Sequence, residues 1–128
     1  MKVMIVLLAA VAFAYGLAHP NLRHIINEAH TLTQMVTQME GCESVFVKDL
    51  MNGTARCEAL FFCQAEKVLT EVKLNAVTCK PSVNKLIRNL KSYNNEMNCT
   101  VPTKGNEIII RSFLEDLKQC AKKVFSRP

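Results

Sequence analysis

Six cysteines, at Cys42, Cys57, Cys63, Cys79, Cys99 and Cys120, carry the strongest chemical signal in this 128-residue chain. A thiol serves as nucleophile, metal ligand or half of an oxidised bridge, and its compartment decides which. An even count behind an export signal points to bridges. Lys2 supplies a positive start, Val3 to Phe13 form an apolar run, and Gly16-Leu17-Ala18 has the small residues of a signal-peptidase site. Residues 1–18 are therefore expected to be a signal peptide cleaved after Ala18, and residues 19–128 one exported domain. The apolar run is shorter than the roughly 20 residues that span a bilayer, so no membrane anchor is expected.

The remaining reactive side chains do not assemble a catalytic set. His24 and His30 stand about 240° apart round a helix and cannot converge on one ion. No Ser/His/Asp grouping, glycine-rich phosphate loop or paired carboxylate stands out, and Glu115-Asp116 suits a solvated helix start. The expectation is a protein without enzymatic activity, metal or cofactor. Asn52-Gly53-Thr54 and Asn98-Cys99-Thr100 are glycosylation sequons, each marking an exposed loop between helices.

Charge is divided unevenly. Residues 19–79 hold five Lys/Arg against seven Asp/Glu, net −2, whereas residues 80–128 hold ten against four, net +6. The basic half suits an acidic partner surface. Nucleic acid is not expected of an exported chain with two tyrosines and no tryptophan to stack on bases.

Four stretches repeat apolar residues in steps of three and four. Helix A, about 20–40, carries Leu22, Ile25, Ala29, Leu32, Val36 and Met39, with Pro20 in its first turn. Helix B, about 55–74, carries Phe61, Ala65, Val68 and Val72, widened by Leu60 and Leu69, with Thr54 as N-cap. Helix C, about 82–97, carries Val83, Leu86, Ile87, Leu90, Tyr93 and Met97 behind Pro81. Helix D, about 107–126, carries Ile110, Phe113, Leu117, Cys120 or Ala121, and Val124, flanked by Leu114 and Phe125. The fold class is all-α, a four-helix bundle.

Link lengths bear on topology. About six residues join B to C, so these are antiparallel neighbours. An 18-residue helix is roughly 27 Å long. The links A–B and C–D, about 13 and nine residues, reach about 43 and 30 Å. Both can run the length of the bundle, which favours up-up-down-down with two crossover loops over simple up-down-up-down. Val45-Phe46-Val47 reads as a short strand in the first crossover. Its partner in a two-stranded ribbon would be Thr100-Val101 or Ile108-Ile109, although Ile108 to Ile110 equally suit the first turn of helix D.

Six cysteines allow 15 pairings. With Cys57 and Cys63 on one helix, about 9 Å apart along its axis, that pair is excluded. Cys42–Cys79 and Cys63–Cys99 would each close a loop of about 40 residues, worth roughly 4 kcal/mol in a chain-entropy treatment. Cys57 and Cys120 would then tie B to D, or remain an unpaired buried couple.

Phe62-Cys63-Gln64-Ala65-Glu66-Lys67-Val68-Leu69 resembles the helix B signature of the interleukin-4 and interleukin-13 family. Lys85-Leu86-Ile87-Arg88-Asn89-Leu90-Lys91 resembles helix C of interleukin-4, and Phe113-Leu114-Glu115-Asp116-Leu117-Lys118 its helix D. Leu22, Ile25-Ile26 and Leu32-Thr33 fit its helix A, so the likeness covers essentially residues 19–128. Cys42, Cys63, Cys79 and Cys99 fall where the family keeps four cysteines, which implies pairs 42–79 and 63–99. Cys57 and Cys120 have no counterpart in the mammalian pattern.

The resemblance implies a secreted, monomeric short-chain helical cytokine that bridges two class I receptor chains to promote type 2 immune signalling. An interleukin-4 receptor alpha-type chain would bind through helices A and C. The common gamma chain or an interleukin-13 receptor chain would bind through A and D. Lys122, Phe125 and Ser126 match the basic, aromatic and hydroxyl positions of the second-receptor face, and Arg88 a basic position of the helix C face, beside Lys91. The sequence departs from the family at His24, where an acidic anchor is usual, and at Asn95, where an arginine is; Glu28 offers a displaced acidic anchor. Lys118, Lys122 and Lys123 also suit a glycosaminoglycan. The competing reading is a secreted six-cysteine helical carrier of small apolar ligands. Such carriers usually show tight three- and eight-residue cysteine gaps, against gaps of 14, 5, 15, 19 and 20 here.

Overall fold

The computed structural model describes residues 20–51, 56–75, 79, 82–103 and 105–127. Four helices follow one another: α1 (Pro20–Gln38), α2 (Ala59–Asn75), α3 (Asn84–Asn94) and α4 (Ile110–Phe125). A 3-10 turn, Cys42–Ser44, and strand β1 (Phe46–Lys48) follow α1, and strand β2 (Glu107–Ile109) precedes α4.

Each helix runs where apolar spacing favours it and stops where the backbone must turn. Helix α1 buries Leu22, Ile25, Ala29, Leu32, Thr33 and Val36. Its exit uses Gly41 at φ 86°, a left-handed conformation that glycine adopts without Cβ strain. Helix α3 is shorter than its apolar spacing implies. Asn95 and Glu96 take φ of 47° and 65°, and the Asn95 amide donates to the Lys91 carbonyl, closing the helix there. Met97 therefore lies beyond α3 and is exposed instead of extending its stripe.

Helix α2 corrects the expected start near residue 55. Cys57 precedes the helix, so the axial-distance argument against pairing it with Cys63 does not apply; its partner is Cys120. Thr54, Pro81 and Asn52 lie outside the described residues. Leu60, expected in the stripe, is 49% exposed, and Phe62 fills the core in its place at 0%. The Phe62 ring meets Phe61 and Tyr93 edge-on, with centroids 5.4 and 5.1 Å away. The three isoleucines divide between elements: Ile108 and Ile109 belong to β2, and Ile110 opens α4.

Cross-links and contacts give the directions of the helices. Cys42–Cys79 joins the end of α1 to the approach to α3, so these two run antiparallel. Cys63–Cys99 joins the start of α2 to the segment after α3, and Cys57–Cys120 ties the approach to α2 to the last turns of α4. Arg23 meets Phe125, His30 meets Lys118, and Thr37 borders the same shallow cleft as Arg111, so α1 and α4 are antiparallel. Helices α1 and α2 thus point one way and α3 and α4 the other. The topology is up-up-down-down, with α1 packed on α4 and α3, and α2 chiefly on α3. The crossovers meet as an antiparallel ribbon, Val47 opposite Ile108.

A continuous core of Leu22, Leu32, Phe62, Leu69, Leu86, Leu90, Phe113, Leu114 and Leu117, none above 1% exposed, fills the space between the helices. A concavity of about 890 Å³ is an open surface groove between β1, one flank of α2 and Cys99–Val101. Among the described residues, no helix is long and apolar enough to cross a membrane.

Candidate interaction surface

The buried stripe of α1 divides its polar residues between two flanks. Arg23 and His30 lie on the α4 side, as their contacts with Phe125 and Lys118 require. His24 and Glu28, one turn apart, lie on the opposite flank, toward α3. His24 is exposed and Glu28 half-buried.

Arg88 and Lys91 are exposed at i and i+3 on the outer face of α3, away from Leu86, Ile87 and Leu90, and Asn95 is exposed at its C-cap. Lys122, Phe125 and Ser126 are exposed at i, i+3 and i+4 at the end of α4. Because α1 is antiparallel to both, its first turns share one end of the bundle with the last turns of α3 and α4. The expected site residues therefore gather at that end, in two sets on either side of α1.

On the α1/α4 side, Phe125 stands out of the core at 40% exposure, with the Arg23 guanidinium 5.9 Å from its ring centroid. Ser126 closes α4: its amide donates to the Lys122 carbonyl and its hydroxyl to that of Lys123. Lys118 departs from its expected place in an exposed basic set. It is 8% exposed, and Nζ lies 3.1 Å from both Glu115 carboxylate oxygens and 3.5 Å from His30 Nδ1. Its charge is spent within the α1/α4 seam, leaving Lys122 and Lys123 exposed. Arg23 is a surface residue that sequence spacing did not single out, because only the α1/α4 register brings it to Phe125.

On the other side, Asn94 ties α3 to α2, its Nδ2 donating to the Phe62 carbonyl at 3.1 Å and to Glu66 Oε1 at 3.0 Å. Burial pushes the Tyr93 phenol above its usual pKa, opposed by the charge of Arg127. The last residues of the described chain thus lie close enough to influence α3.

Asp116 faces the first crossover. Burial, then the like charges of Asp49 and Glu115, raise its pKa above the ordinary carboxylate value. The folded state therefore holds this proton more tightly than the unfolded state. That stabilisation is fully present below the ordinary pKa and is lost as pH rises through the raised one. Asp116→Asn should raise stability near pH 7 by up to about 0.5 kcal/mol after solvent screening, with the gain vanishing in acid. Urea midpoints across this pH range check it; a neutral-pH loss would refute the assignment.

Among the described residues, no group of three or more His, Cys, Asp or Glu side chains is placed to hold a metal ion. Cys42, Cys57, Cys63, Cys79, Cys99 and Cys120 are all consumed in the three bridges. The described residues offer two polar faces, one of them with the exposed Phe125 ring. The family model for Interleukin 4 matches residues 18–126. No curated protein and no solved structure matches the chain. With an up-up-down-down bundle, two crossovers and three bridges behind that match, the chain belongs to the interleukin 4 family of helical cytokines.

Proposed function

We propose that the chain is a secreted, monomeric cytokine of the interleukin-4/13 type that bridges two class I receptor chains and so triggers type 2 immune signalling. The single observation that carries this reading is the separation of α1 into two polar flanks, each completed by a different antiparallel helix. One flank, with His24, Glu28, Arg88, Lys91 and Asn95, is assigned to an interleukin-4 receptor alpha-type chain. The other, with Lys122, Phe125 and Ser126, is assigned to the common gamma chain or an interleukin-13 receptor chain. A half-exposed aromatic with the Arg23 guanidinium over its ring fits the usual anatomy of a binding hot spot. Export with cleavage after Ala18, and glycans at Asn52 and Asn98, belong to the same proposal, as does a secondary glycosaminoglycan contact through Lys122 and Lys123.

Surface plasmon resonance with purified receptor ectodomains tests the assignment. Lys122→Glu with Phe125→Ala should weaken the second receptor by at least about 2 kcal/mol, roughly 30-fold, while first-receptor binding stays unchanged. Arg88→Glu should do the reverse. Unchanged affinities in both variants, with native circular dichroism, would reject the two-face reading. The carrier reading calls for an enclosed apolar chamber, whereas the concavity of about 890 Å³ is an open groove.

A further inference from the structure

The second sequon lies inside a cross-link. Asn98 is exposed in the loop that follows α3, and its neighbour Cys99 is bridged to Cys63 of α2. The segment is held to α2 at two successive places, Cys99 and Thr100. Cys99 carries the bridge, and the Thr100 carbonyl accepts a 2.8 Å hydrogen bond from Gln64 Nε2. Cys63 itself is 2% exposed. The middle residue and the backbone of the hydroxyl residue are thus fixed against a helix, while the Asn98 and Thr100 side chains stay exposed.

Glycosyl transfer needs more than a free side chain, because the transferase must grip the asparagine and the hydroxyl residue in one extended loop. With Cys99 bridged and the Thr100 carbonyl bonded to Gln64, the backbone between the two side chains cannot be drawn off α2 into that grip. We propose that Asn98 is an N-glycosylation site gated by the Cys63–Cys99 bridge, modified only on chains that meet the transferase before that bridge closes. This rests on the export reading above. In the transfer, Asn98 Nδ2 bonds to the anomeric carbon of a lipid-linked oligosaccharide pyrophosphate. The lipid pyrophosphate leaves, and the amide loses one proton. In the competing step two thiols lose two electrons and two protons to a disulfide oxidant of the export pathway. Bridge formation takes seconds or longer, slow enough for an emerging sequon to be reached first. Two populations result, one carrying a glycan three residues beyond Asn95, beside the α1/α3 face, and one bare.

The test is expression of the full chain in a cell line with a secretory pathway, in an Asn52→Gln background that isolates Asn98. Peptide mass spectrometry after enzymatic deglycosylation reads occupancy on intracellular chains, so a variant that folds poorly is still informative. Wild type should be mixed. Cys99→Ala keeps a sequon but cannot form the bridge, and should shift Asn98 to mostly glycosylated; Cys63→Ser should shift it the same way. Brief exposure of wild-type cells to a thiol reductant should raise occupancy without any substitution. Equal occupancy in wild type, variants and reduced cells overturns the gating, and a bare Asn98 throughout overturns the site. A chain that retains residues 1–18 overturns the export reading as well, whereas a processed chain with bare Asn98 overturns this inference alone.

Discussion

Phe62→Ala is expected to lower the free energy of unfolding by about 3–5 kcal/mol. The ring is wholly buried and meets Phe61 and Tyr93 edge-on, so truncation removes both its burial and two aromatic contacts. The cavity would open in the α2–α3 seam, where the Phe62 carbonyl also accepts from Asn94. Neighbouring turns cannot collapse into it while Cys63–Cys99 holds the same end of the seam. Leu60→Ala is the matched control. That side chain is 49% exposed, and its loss should cost less than about 1 kcal/mol. Guanidinium denaturation of both variants measures the contrast, and similar losses would mean that Phe62 does not anchor the core.

The contrast between Leu60 and Phe62 also explains where sequence reasoning reaches its limit. Around Leu60-Phe61-Phe62-Cys63 the chain is apolar on every side, so spacing alone cannot orient the first turn of α2. Tyr93 and Asn94 of α3 decide it, through contacts more than 25 residues away along the chain. In α1 and α4 the polar residues between apolar ones are unambiguous, and Leu22, Ile25, Ala29, Leu32, Phe113 and Leu117 are buried as their spacing implies. The early end of α3 had a local sign, since Asn95 tolerates the left-handed turn that closes the helix.

The interaction surface was legible to a different extent. Helical spacing alone places Arg88, Lys91 and Asn95 on one face, and Lys122, Phe125 and Ser126 on another. That both faces share one end follows only from helix directions, which loop lengths favoured but did not decide. Spacing also made Lys118 look like a companion of Lys122, one turn away. The packing of α4 on α1 instead turns Lys118 toward His30 and Glu115, and brings in Arg23, for which the sequence held no signal.

The Cys57–Cys120 bridge was least legible of all, and its removal carries the second large expected effect. Cys57→Ser with Cys120→Ala should cost about 4 kcal/mol, since the bridge closes a separation of 63 residues and frees the unfolded chain when absent. Alanine suits position 120 because the site is 1% exposed, and a serine hydroxyl there would add an unpaired buried group. For a domain of this size the loss corresponds to a melting temperature roughly 15 °C lower. The effect should be confined to stability. Helix α4 packs chiefly on α1, and α2 chiefly on α3, so the bridge joins two helices that share little direct packing with each other. Phe125 keeps its place against Arg23 in the α1/α4 pair, and second-receptor affinity measured well below the transition should stay within about two-fold of wild type. A stability loss under about 1 kcal/mol would show that packing, without the bridge, holds α2 to α4. A large fall in affinity at unchanged helicity would show instead that the bridge shapes the α1/α4 face itself.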